Sequence, residues 1–340
     1  MSEEKIAVPI FFIIISIIGS IENLFVIIIL FLNLFSKKYS QLRARRGKIK
    51  KIEDAGHKYD TVAVTYILAL SINDLLACSS LVPLNGYQKL RGNFSSYLSC
   101  NIFYFLVLYF PAFSSFTLSL IAIDRFIFIC FPFLKWFTVK KVIIILATIS
   151  QLDIIYSFVL TINIIDKNAF NKDHTCVTKD TNLVDTLSKL NNIMFFILII
   201  IVFVCYFCIY VVLLKTKRKM GKTRNSEAGG LDGKTNEKDI NRSNKKKSTL
   251  FLFVVVFSFI LFYGVTLVAI QVDSNNLFLT SFYSLIHSVN PIIYFVMNKR
   301  FRNEIKIFFN MFKRKRENKE LFIKRINKKR INDIDQQDKI

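Results

Sequence analysis

The stretch His287-Ser-Val-Asn-Pro-Ile-Ile-Tyr-Phe-Val-Met-Asn-Lys-Arg-Phe-Arg-Asn-Glu-Ile305 sets an asparagine and a proline in the middle of an apolar run that then turns basic. Proline inside a helix costs roughly 3 kcal/mol, because it deletes a backbone hydrogen bond and clashes with the preceding turn. Asn290 and Pro291 therefore mark a helix weakened at its centre, and the basic residues from Lys299 onward mark where the apolar run ends. That run is one of seven. Stretches long enough to cross a hydrocarbon core of about 30 Å fall at about 8–34, 61–86, 97–131, 139–165, 190–214, 248–271 and 277–297. A soluble basic domain does not combine 53% hydrophobic residues, 35 Phe and a mean hydropathy of +0.41 with a net charge of +23. The first run is too long for a signal-peptide core and no small-residue cleavage site follows it, so it reads as a retained helix.

Orientation follows from the 47 Lys and Arg, 40 of which fall in the segments that are cytoplasmic if the N-terminus is outside. The positive-inside rule places the N-terminus outside and the tail inside. These charges border membrane spans and lack the aromatic interleaving of a nucleic-acid groove, so they read as contacts to anionic lipid of the inner leaflet, and no nucleic-acid partner is expected. Of the six cysteines, Cys78, Cys130, Cys205 and Cys208 lie in or at the ends of spans and read as packed thiols. Cys100 and Cys176 fall outside, where a disulfide persists; bonded together they would tie the third span to the second extracellular loop. The outward-facing glycosylation sequon is Asn93-Phe-Ser95.

Arg125 lies 25 residues after Cys100 in the third span, about 38 Å along a helix. Asp124 and Arg125 thus stand at the cytoplasmic mouth. An interfacial arginine that merely snorkels to lipid phosphate would look the same taken alone. Further sequence features stand beside it: Gly19-Ser-Ile-Glu-Asn23 in the first span, Leu70-Ser-Ile-Asn-Asp74 in the second, and Asn290-Pro-Ile-Ile-Tyr294 in the seventh. With Cys100, Asp124-Arg125-Phe126 and Cys176, and in this order and at these depths, the chain from about residue 10 to 312 resembles the rhodopsin-like (class A) G-protein-coupled receptors.

The resemblance implies an all-α membrane fold: a seven-helix bundle over residues 1–312 with an amphipathic interfacial helix at 299–312, then a disordered basic tail at 313–340. It implies no enzymatic activity, and the sequence offers no nucleophile–base pair or metal cluster of its own. It implies an extracellular ligand and a heterotrimeric G protein as partners, with Asp124, Arg125, Tyr206, Asn290, Pro291 and Tyr294 forming the activation switch. Asn290 is expected to offer its amide to backbone groups freed by Pro291. Asn23, Asp74, Ser114 and His287 form the expected polar core. In the family an aspartate at the place of Asp74 helps hold a sodium ion, for which Ser114 fits as a partner. The seventh span, however, carries Ile286 and His287 at two positions the family keeps small and polar. His287 is therefore expected either to contact Asp74 and displace the sodium, or to bond a helix carbonyl as a neutral ring. Asp153, in the fourth span, reads as either a pocket residue or a hydrogen-bonded structural one.

The chain departs from the family at Leu198 and Val265, where prolines are usual, and at Tyr263, where a tryptophan is usual. Val107 in place of an aspartate argues against a monoamine ligand, and Ser284 in place of a lysine argues against retinal. The polar second extracellular loop, 166–189, suits a peptide lid, though an ordinary solvated loop has the same composition. Gln88, Tyr104, Val107, Tyr263, Gln271 and Tyr283 are candidate pocket residues by depth and helical face. After Met297, Phe301, Ile305, Phe308 and Phe312 share one helical face. The first cytoplasmic loop, 34–60, is long and basic; the third, around 221–247, is polar and expected to be disordered. No Ser, Thr or Cys occurs from 299 to 340, so arrestin recruitment is expected to be weak or to depend on the third loop. A chemosensory receptor of the same class, a non-signalling decoy and a seven-span transporter are the competing readings; internal repeats typical of the last are not found.

Overall fold

The computed structural model describes residues 3–35, 53–91, 96–131, 136–166, 182–226 and 277–297, together with Phe94, Phe133, Leu134, isolated positions between 254 and 264, and part of 301–320. Its regular elements are helices: α1 (Glu3–Phe35), α2 (Glu53–Leu76), a π-helical turn (Ala77–Leu81), α3 (Val82–Arg91), α4 (Tyr97–Cys130), α5 (Val139–Ile164), α6 (Asn182–Ser226) and α7 (Leu277–Met297). Among the described residues, five stretches are long and apolar enough to cross a membrane: Ala7–Leu32, Thr61–Gln88, Tyr97–Cys130, Val139–Ile164 and Asp185–Lys215. The run Ser284–Val296 in α7 is a shorter apolar helix. The described residues of the sixth run, from Val254 to Gly264, are helical as well.

Each helix divides into a lipid face and a bundle face by spacing. On α1, Ile10, Ile14, Ile17, Ile21, Leu24, Ile28 and Phe31 recur every three or four residues and are exposed, whereas Phe12, Ile15, Asn23, Val26 and Leu30 are buried. α4 is central: it packs against α2, α5 and α6, and Phe110 reaches α7 through an edge-on ring contact with His287. α1 packs on α2, α3 and α7.

Helix ends differ from the limits of the apolar runs. α2 begins at Glu53, inside the stretch expected as first loop, and α6 begins at Asn182, inside the expected second extracellular loop. There Thr186 Oγ1 donates to Asn182 O at 2.7 Å, and Lys189 pairs with Asp185 at 2.7 Å one turn away. Such pairs hold a helix beyond the lipid, so hydropathy marks the membrane and not the helix end. α6 also runs on to Ser226, into the expected third loop. The expected disordered tail from 313 onward likewise begins as helix, with Lys313, Arg316 and Glu320 helical and Arg316 Nε 3.2 Å from Glu320 Oε1. The π-helical turn has no counterpart in the sequence reading; Ser79 and Ser80 donate to Leu76 O, and Ser16 of α1 donates to Cys78 O at 2.7 Å. These hydroxyls serve carbonyls displaced by the wider turn.

Candidate functional site: a polar core joined to a buried acid–base pair

Pro291 has no N–H, so the carbonyl four residues earlier, that of His287, loses its helical donor. Asn23 Nδ2 supplies one from α1, donating to His287 O at 2.8 Å and to Gly19 O at 2.9 Å. This corrects the expectation for Asn290, whose amide is turned elsewhere: Asn290 Nδ2 donates to Asp74 Oδ2 at 2.8 Å. The other carboxylate oxygen, Asp74 Oδ1, lies 2.7 Å from His287 Nδ1. Asp74, Asn23 and His287 are each 0% exposed. A carboxyl buried that deeply is tolerated only with hydrogen-bonding partners, and α7 supplies both through His287 and Asn290, one turn apart.

The neighbouring Asn73 donates to Ser114 Oγ at 2.9 Å and to Phe110 O at 3.2 Å, tying α2 to α4. Ser114 thus partners Asn73, where the sequence reading paired it with Asp74. A sodium ion needs oxygen atoms turned toward a common centre. Here both oxygens of Asp74 face nitrogen atoms, the Ser114 hydroxyl oxygen accepts an N–H, and an imidazole stands where an oxygen donor would be needed. The residues present do not fit a sodium ion. The helices meet closely around this core, since a Cβ at Gly19 would lie 2.5 Å from Cys78 Sγ and 2.6 Å from Ser288 Oγ.

At the other end of α4, Arg125 Nε lies 3.5 Å from Asp124 Oδ2, and both residues are buried. Tyr206 of α6 is buried within reach of the Arg125 charge. Tyr66 of α2 is buried within reach of both Asp124 and Arg125. Sequence reasoning missed Tyr66; its signal was position, seven residues before Asn73 and so on the same helical face. Tyr294 is buried within reach of the Asp74 charge. Beyond α7, Arg302 Nη1 donates to Phe295 O at 3.2 Å and to Val296 O, covering carbonyls at the α7 terminus. Phe301 and Ile305 are buried, and Phe308 packs edge-on against Phe25 of α1 at 5.7 Å. Phe312 lies outside the described residues.

The remaining expected residues are scattered. Cys100 is buried and disulfide-bonded, while Cys176 and Asn93 lie outside the described residues. Gln88, Tyr104 and Val107 are half-buried toward the Cys100 end; Tyr263, Gln271 and the side chain of Tyr283 lie outside the described residues. Asp153 is buried, facing the bundle, with Ser157 Oγ 3.5 Å from its Oδ1. Beside it Tyr109 and Ser150 share a 2.9 Å hydrogen bond between α4 and α5.

Apolar membrane-length helices that close around a polar core and end in a buried acid–base pair are the architecture of a helical membrane protein. The sequence matches the 7 transmembrane receptor (rhodopsin family) over residues 55–294, and the chain belongs to that family of non-enzymatic, multi-pass signalling receptors. Its fold is similar to that of squid rhodopsin, with a TM-score of 0.65 and 18% sequence identity over 88% of this chain and 79% of that one. At that identity the likeness speaks for the fold alone, a seven-helix bundle. No curated protein sequence matches.

Proposed function

We propose that this receptor carries the binding of an extracellular peptide to a heterotrimeric G protein, through a helix rearrangement read out at Arg125. The observation that carries this is the buried Asp124–Arg125 pair flanked by tyrosines from α2 and α6. A buried charge pair at a bundle end has a function beyond stability when one member can be turned toward a partner, because burying both charges gains little by itself. Arg125 is the group that meets the G-protein helix. Pro291 and Asn290 let α7 change its bend, and Tyr294 and Tyr206 come together in the active arrangement. An agonist drives this only by binding the active arrangement more tightly.

The receptor lies in the plasma membrane with its N-terminus outside, and Cys100 pairs with Cys176 to hold the second extracellular loop over the pocket. Asn93 carries glycan on the same side. Val107 and Ser284 provide neither a countercharge for an amine nor an amine for retinal, and the loop around Cys176 is charged on both sides; both features favour a peptide. Gln88, Tyr104 and Val107, with Tyr263, Gln271 and Tyr283, line the pocket. Basic residues of the first loop and the eighth helix face anionic lipid.

The experiment is nucleotide exchange on a panel of G proteins, in membranes containing the receptor exposed to tissue extracts before and after protease digestion. Exchange that requires Arg125 and disappears on digestion is expected. Exchange that persists in Arg125→Ala would refute the switch, and exchange that survives digestion would replace the peptide with a small molecule.

A further inference from the structure

Tyr66 is 1% exposed, and its hydroxyl has no hydrogen-bond partner among the described residues. Burying a phenol hydroxyl without a partner is unfavourable, and phenylalanine would fill the same space without that penalty. The hydroxyl therefore invites an account in terms of a second arrangement of the bundle. Its position says which one. The Asn73–Ser114 hydrogen bond fixes the register of the antiparallel helices α2 and α4. Tyr66 is seven residues from Asn73 toward the Arg125 end, and Asp124 is ten residues from Ser114 in the same direction. At about 1.5 Å per residue the two Cα levels differ by roughly 4.5 Å, less than the length of a tyrosine side chain. The charges of Asp124 and Arg125 both reach Tyr66.

Asp124, for its part, is 9% exposed and has Arg125 Nε 3.5 Å from its carboxyl. When Arg125 turns away to meet another protein, the Asp124 carboxyl is left buried without its countercharge, which is strongly unfavourable unless a hydrogen-bond donor replaces it. We propose that the Tyr66 hydroxyl is the donor that takes over the Asp124 carboxyl when Arg125 leaves it, so that Tyr66 stabilises the open arrangement and not the resting one. This rests on the receptor reading above. It makes Tyr66 a positioning residue: its O–H swings from an unpaired site onto Asp124 and lowers the cost of releasing Arg125.

The test is a double-mutant cycle that imitates Arg125's departure and needs neither ligand nor G protein. Thermal unfolding of the purified full-length receptor is compared for wild type, Tyr66→Phe, Arg125→Ala and the double variant, with Arg125→Met as a second background that keeps the aliphatic stem. Tyr66→Phe is expected to leave the midpoint unchanged or raise it in the wild-type background, and to lower it by several degrees where Arg125 is absent. Equal effects in both backgrounds, in either direction, overturn the proposal. A second arm measures nucleotide exchange by the unliganded receptor, where Tyr66→Phe is expected to slow exchange by roughly ten- to a hundredfold, the equivalent of one hydrogen bond to a charged group. Unchanged exchange overturns the proposal. Absence of exchange even in wild type, on every G protein and with every extract, counts against the receptor reading instead, and the unfolding cycle still decides the role of Tyr66.

Discussion

Replacing His287 by alanine is the perturbation with the largest expected effect. It removes one of the two side chains facing Asp74, in a site with no solvent access. Breaking a buried pair by deleting one partner costs about 3–5 kcal/mol, because the remaining group is stranded. Asn290 still donates to Oδ2, which places the expected loss near the lower end, about 3 kcal/mol. With an unfolding entropy of about 2.1 cal/mol/K per residue, a chain of 340 residues loses about 1.4 °C per kcal/mol, so the unfolding midpoint should fall by roughly 4 °C. Asp74→Asn should behave differently. Its amide can face His287 Nδ1 while its carbonyl still accepts from Asn290, so every group keeps a partner and the loss should stay below about 1 kcal/mol. In that background His287→Ala strands no carboxyl and should cost less than in the wild type. Thermal unfolding in nanodiscs, with sodium chloride exchanged for choline chloride at constant ionic strength, reads all four proteins. Wild type should show no sodium-specific stabilisation, since nitrogen partners already face both Asp74 oxygens. The reasoning fails if His287→Ala is no worse than Asp74→Asn, or if sodium alone stabilises the wild-type receptor.

Gly19→Ala should destabilise by about 1–3 kcal/mol through overpacking against Cys78 and Ser288, and Ser288→Ala should recover part of that loss, as measured by surface expression and unfolding midpoint. Asn23→Ala should cost about 1–2 kcal/mol by leaving His287 O without its side-chain donor; in a Pro291→Ala background, where a backbone N–H becomes available to the same carbonyl, the cost should shrink, and an undiminished cost would detach Asn23 from the proline. Alanine at Ser226, Thr235, Ser243, Ser248 and Thr249 together should abolish whatever arrestin recruitment the activated receptor shows, read by proximity luminescence; full recruitment by that variant would place the phosphosites elsewhere.

Much of the architecture was legible because a bilayer imposes it. Apolar runs of fixed length had to be spans, and spacing along α4 put Arg125 opposite Cys100. The contact of His287 with Asp74 was one of two readings open from the sequence, because His287 and Asn290 share a helical face and a buried carboxyl needs partners. What stayed hidden depended on contacts distant in sequence or on local side-chain chemistry. Nothing in the α7 sequence tells which amide serves the carbonyl freed by Pro291; Asn23 and His287 are 264 residues apart. The π-helical turn depends on hydroxyls of Ser16, Ser79 and Ser80 that composition alone treats as ordinary polar residues. Helix ends lie beyond the apolar runs because ion pairs such as Asp185–Lys189 extend helices into water, where hydropathy is silent. Tyr66 reads as a core aromatic until α2 and α4 are put in register.

The contacts of α7 give Pro291 a physical meaning. His287 is held at three points: its carbonyl by Asn23 of α1, its ring nitrogen by Asp74 of α2, and its ring edge by Phe110 of α4. Past Pro291, the end of α7 is held again, since Arg302 covers the carbonyls of Phe295 and Val296 while Phe308 of the same following segment rests on Phe25 of α1. Helix α1 therefore anchors α7 on both sides of the proline, through residues two positions apart. A rigid α7 fixed at two places could not move without breaking one of them, but a helix already missing the hydrogen bond at Pro291 can change its bend between fixed ends. In the proposed switch the moving segment is short, from Asn290 to Tyr294, and it contains both the Asn290 donor to Asp74 and the buried tyrosine. Movement there would alter the Asp74 site and the packing of Tyr294 together, so that the proposed switch would carry a change at the polar core toward Arg125 without any need for α7 to shift as a whole.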